Sequence, residues 1–131
     1  MSLRALALVS AVYDLLLAGP LLLAPVATAR LFGVPEPQPV INGQLNGMFT
    51  LTLAVGYIWA ARDVEARRGY LWVAGVLAKG LGATLFILDH FLNGSPNAFL
   101  LFATTDGTLA LVTLALLRRP GAAARDSVAG R

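Results

Sequence analysis

The chain has 131 residues, of which 57% are hydrophobic and only 13% charged; its mean hydropathy is +0.72 and its net charge is +3. Soluble domains are about 25% charged, and a chain this apolar would leave large greasy patches in water, so lipid is the solvent that fits. It has no cysteine and a single histidine, His90, which excludes disulfides, thiolate metal sites, thiol redox chemistry and a multi-histidine metal or haem centre within one chain; no metal and no cofactor is expected.

A helix needs about 20 apolar residues to cross the hydrocarbon core. Four stretches qualify in chain order, roughly residues 3–24, 42–61, 69–92 and 97–117. The first also resembles a signal peptide, with Arg4, an apolar run and the small residues Ala27-Thr28-Ala29. Asp14 in the middle of that run, and the run's length, argue for a retained helix instead. Between the first two stretches come Arg30, Phe32 and the alternating Pro35, Pro37 and Pro39, which favour an extended path. Residues 26–32 can form a short helical turn in the interface. A charged hairpin loop, residues 62–68, joins the second stretch to the third. Asn93-Gly94-Ser95-Pro96 makes a tight turn before the fourth, with Ser95 expected to cap it and Pro96 at its first position. Residues 119–131 form a polar tail beyond a single domain over 1–118. Short connections place consecutive helices side by side, so the expected fold is all-α: a four-helix transmembrane bundle, up-down-up-down.

Lys and Arg near helix ends set orientation. Arg4, Arg62, Arg67, Arg68, Arg118, Arg119, Arg125 and Arg131 fall on one side, and only Arg30 on the other. The expectation is a multi-pass protein of the plasma (inner) membrane with both termini cytoplasmic. Basic residues gathered at the ends of apolar runs point to lipid and not to nucleic acid. Trp59, Trp72, Tyr57 and Tyr70 are expected to anchor the inner helix ends in the interface.

The residues able to carry chemistry are ionisable groups inside the spans: Asp14, Lys79 and Asp106. A charge at the bilayer centre costs about 2.5–3.5 kcal/mol on insertion scales, so each needs a partner, a water-filled cavity or loss of its charge. Counting residues from the inner helix ends puts all three near mid-membrane, roughly 15–17 Å deep. Each shares a helical stripe with small residues, for example Gly75, Lys79 and Gly82, where helices approach closely. Lys79 is therefore expected within ion-pair reach of Asp14 or Asp106. Tyr13 and Asn46 join these three as candidates for a ligand or proton site. Asn46 belongs to a polar stripe with Asn42, Thr50 and Tyr57, beside the G-x-x-x-G pair Gly43 and Gly47. Asp89 and His90, at the outer end of the third helix, are candidates for the mouth of a cavity. The bland alternatives stand beside these: an ion-pair cluster that only fixes helix register, interhelical hydrogen bonds along the stripe, and simple interfacial residues at Asp89 and His90.

Short motifs carry a family resemblance over roughly residues 10–117. They are Tyr13-Asp14-Leu15, Leu31-Phe32-Gly33 and Asn46-Gly47-Met48, followed by Ala60-Ala61-Arg62-Asp63, Ala78-Lys79-Gly80 and Thr105-Asp106-Gly107. The layout resembles small four-helix bacterial membrane proteins, broadly the DoxX-like group. The resemblance implies the fold and no activity. The sequence then suits a small membrane protein that binds a small amphipathic, lipid-like molecule at the Asp-Lys-Asp cluster or supports a partner membrane protein. Two alternatives are a proton- or ion-coupled transporter acting as a homodimer, and an acid-base enzyme such as an isomerase. No nucleophile-base pair, phosphate loop or metal set supports catalysis, which makes the enzyme the less favoured of these readings.

Overall fold

The computed structural model describes residues 1–119, and these are helical with no strand among them. The expected polar tail lies outside the described residues from position 120 onward, as do Arg125 and Arg131. Five helices follow one another. α1 spans Leu3–Leu23, α2 Pro25–Phe32, α3 Ile41–Arg62, α4 Arg68–Asn93 and α5 Ala98–Leu117.

Local chemistry accounts for the boundaries. Ser2 caps α1, its hydroxyl accepting from the backbone N–H of Ala5 at 3.2 Å. Pro25 opens α2, where a missing N–H is harmless. Gly33 ends α2 and Gly94 ends α4, both left-handed at φ 63° and 70°. The expected Ser95 cap does not form. α5 begins at Ala98 without a side-chain cap, and the Ser95 hydroxyl donates instead to the Asp89 carboxylate.

α1, α4 and α5 are long and apolar enough to cross a membrane. α1, at 21 residues, extends about 31 Å, close to the hydrocarbon thickness. α3 has the length, at 22 residues, but not the composition. Asn42, Gln44, Asn46 and Thr50 interrupt its first half.

The burial pattern is the inverse of a soluble protein's. Eleven of the fifteen buried hydrophobic residues are alanines, while Leu16, Leu31, Phe91 and Leu111 lie on the surface. Small residues let helices approach closely where no hydrophobic force joins them, and long apolar side chains turned outward suit contact with lipid.

α1 packs mainly on α3, and α4 mainly on α5. Small residues make the first contact possible. A Cβ on Gly47 would lie 2.8 Å from the backbone nitrogen of Leu22, so only glycine fits there. The two pairs join at the end that carries Arg4, Arg62 and Arg119, through a core of Ala7, Ala11, Tyr57, Ala60, Leu71 and Leu117. Arg68 ties α4 to α5 at this basic end, its Nη2 donating to the carbonyl oxygen of Leu117 at 2.6 Å. Towards the other end the pairs part. The Lys79–Asn93 part of α4 packs on α5 and has little contact with α1 or α3. α2 and the proline segment cover part of the opening.

Two expectations about aromatic residues separate here. Trp59 and Trp72 are exposed at 49% and 41%, as interface anchors would be, but Tyr57 is 1% exposed. It lies edge-on to Tyr70 at 5.4 Å, and Tyr70 Oη donates to the carbonyl oxygen of Leu53 at 2.7 Å. Tyr57 is a core residue because its face of α3, shared with Ala54 and Ala61, turns inward.

Candidate functional site: a buried Asp-Lys-Asp bridge beneath a cavity

α4 changes its hydrogen-bonding pattern just before Lys79. Leu71–Ala78 winds as a π-helix, and α-helical geometry resumes at Lys79. A π segment holds more residues per turn, so it alters the direction in which the next side chain leaves the axis. Lys79 leaves towards α1 and α5. Its Nζ donates to Asp14 Oδ1 at 2.8 Å and to Asp106 Oδ1 at 3.0 Å. It also lies 4.8 Å from the ring centroid of Tyr13 and 5.9 Å from that of Tyr57, within cation–π range. Three helices are therefore tied by one ammonium group.

The two carboxylates differ in exposure. The Lys79 and Asp14 side chains are 4% and 3% exposed, and that of Asp106 is 18% exposed. Asp14 Oδ2 and Tyr13 Oη are buried and have no hydrogen-bond partner among the described residues. Charged groups in such surroundings need a countercharge, and Lys79 is a shared one.

Above the bridge lies a cavity of about 680 Å³. Tyr13, Asp14, Asn46, Lys79 and Asp106 all line it, so the five residues expected to share a site do come together. Asn46 is the exposed member of the five. The upper wall is aromatic: Phe32 meets Phe102 edge-on at 5.1 Å, and Phe86 lies 5.3 Å from Phe99. The cavity's charged lining is confined, among the described residues, to Asp14, Lys79 and Asp106.

Asp89 and His90 are elsewhere. They are not part of the cavity lining and serve the turn between α4 and α5. Asp89 Oδ1 accepts from Asn93 Nδ2 at 2.6 Å, and His90 Nδ1 lies 2.6 Å from the carbonyl oxygen of Ser95. Their position near a helix end suggested a mouth, but the turn's own polar groups occupy them.

Sequence reasoning missed the part played by α2 and the proline segment. Thr28, Ala29, Pro35, Pro37 and Gln38 line the cavity, and Arg30 Nε donates to Glu36 Oε1 at 2.6 Å across the bend. The signal available was Thr28 and Ala29 themselves, small residues in a short, largely apolar helix. No family model, no curated protein and no solved structure matches the chain, so the resemblance to DoxX-like proteins rests on the short motifs alone.

Proposed function

We propose that this chain is a four-pass membrane protein that binds a small amphipathic molecule in the cavity above Lys79. In this reading α3 is the fourth span. Asn42, Asn46 and Thr50 of its polar half line the cavity. The helices alternate in direction as an up-down-up-down bundle. The basic end faces the cytoplasm and the proline segment faces outward, following the distribution of arginines.

The observation that carries the binding reading is the cavity itself. Its volume, about 680 Å³, falls in the range of small-molecule sites, and it combines apolar walls with a few polar groups at one end. A cluster that only set helix register would need no such space over it. The bridge gives the floor a fixed electrostatic character, while Asn46, Thr50 and Gln38 supply hydrogen-bonding groups along one side.

Native mass spectrometry tests this directly. Protein released from its native membrane is expected to carry a small amphipathic adduct. Gly82 lines the cavity, and a Cβ there would meet only Asp106 Oδ2, at 4.0 Å, so Gly82→Leu should fit and crowd the part of the space beside Asp106. The adduct should vanish in that variant while helicity is kept. An adduct unchanged by Gly82→Leu, or none on the wild type, would overturn the reading.

A further inference from the structure

We infer that the molecule taken by this cavity is a hydrophobic organic cation: an amine, or a quaternary onium group, carried on an apolar and preferably aromatic body. The inference rests on the binding reading above and adds the ligand's charge.

The bridge is unbalanced. Two carboxylates face one ammonium, which leaves a formal charge of −1 when all three are ionised. No further charged side chain lines the cavity among the described residues. Excess charge in a poorly solvated place is unfavourable, and a cationic ligand would cancel it.

Geometry decides which charge the ligand meets. Lys79 already donates to both acids, lies against the Tyr13 ring and is 4% exposed, so its ammonium is turned away from an incoming anion. Asp14 also borders the cavity, but its side chain is only 3% exposed. Asp106 is the more exposed acid, and only its Oδ1 takes the Lys79 bond. The negative group presented to the cavity is therefore Asp106.

The aromatic wall lies at a matching distance. Phe99 precedes Asp106 by seven residues on α5, and Phe86 follows Lys79 by seven on α4; two helical turns are about 10 Å. A cation seated at Asp106 would have its body among Phe32, Phe86, Phe99 and Phe102. Aromatic faces attract organic cations as well as apolar groups.

Two ions of the same shape and opposite charge provide the test. The protein in phosphatidylcholine nanodiscs is titrated calorimetrically with tetraphenylphosphonium and with tetraphenylborate, and protein-free discs are subtracted. Saturable binding of the phosphonium and none of the borate is expected. Asp106→Asn keeps the Lys79–Asp14 pair and should weaken phosphonium binding by about tenfold or more. Asp106→Glu should retain it, and Phe102→Ala should weaken it, which guards against a misfolded Asn variant. Borate binding that Gly82→Leu removes would overturn the charge assignment and leave the cavity reading standing. Saturable binding of neither ion, or phosphonium binding indifferent to both Asp106→Asn and Phe102→Ala, would also overturn it.

Discussion

Without the Lys79 ammonium, Asp14 and Asp106 would lose their shared countercharge in a place that water barely reaches. Breaking a buried pair costs about 3–5 kcal/mol in soluble proteins, and polar couplings inside membranes are softer. Lys79→Met is therefore expected to lower stability by about 2–4 kcal/mol. Adding Asp14→Leu removes one stranded acid and should restore part of the loss. Unfolding in mixed micelles, followed by helical circular dichroism, measures both, and purely additive effects would show that the pair is not coupled. This cluster was legible in the sequence because a charge within an apolar run has few ways to exist, and the helical rise alone sets its depth. Asp89 and His90 were not legible in the same way. Near a helix end, a polar residue serves a turn as readily as a cavity, and only the positions of Asn93 and Ser95 decide between them.

Close helix contacts turn on a few glycines. A side chain at Gly47 would strike the backbone of α1 at Leu22, and one at Gly56 would overlap the Tyr70 ring. Gly47→Leu should push α1 and α3 apart and cost about 1–3 kcal/mol. Gly19 has nothing within 4 Å of its would-be Cβ, so Gly19→Leu should change stability by no more than about 0.5 kcal/mol. The same micelle unfolding compares the two, and equal effects would contradict the packing described. The long helices lie within a residue or so of where hydropathy put them, because apolar length and the Gly and Pro punctuation fix them locally. What the one-dimensional pattern could not carry was direction. Tyr57 sits at the depth of an interface anchor, yet its face of α3 turns inward. The π-helical stretch before Lys79 has no sequence signature, so it was invisible until the backbone was seen.

For the molecule as a whole, the proposed topology places the 62–68 loop on the same side as the N-terminus, and the turn at Asn97 on the other. The chain has no cysteine, so single replacements read out cleanly. In sealed right-side-out vesicles, an impermeant maleimide should label Asn97→Cys and spare both Ala66→Cys and Ser2→Cys. Labelling of Ala66→Cys under those conditions would contradict the orientation. The alanine-rich interior has one more consequence. The surfaces that meet inside this protein are mostly methyl groups and bare backbone, which hold together by fit and bury little oily area per residue. Water would therefore pull weakly on such an interior, at about 25 cal/mol per Å² of a small area. A redesigned variant with a charged exterior would dissolve, yet its helices would have scant reason to stay assembled. Solubility and cohesion would have to be engineered as two separate problems, with larger side chains supplied to the seams before the coat is changed.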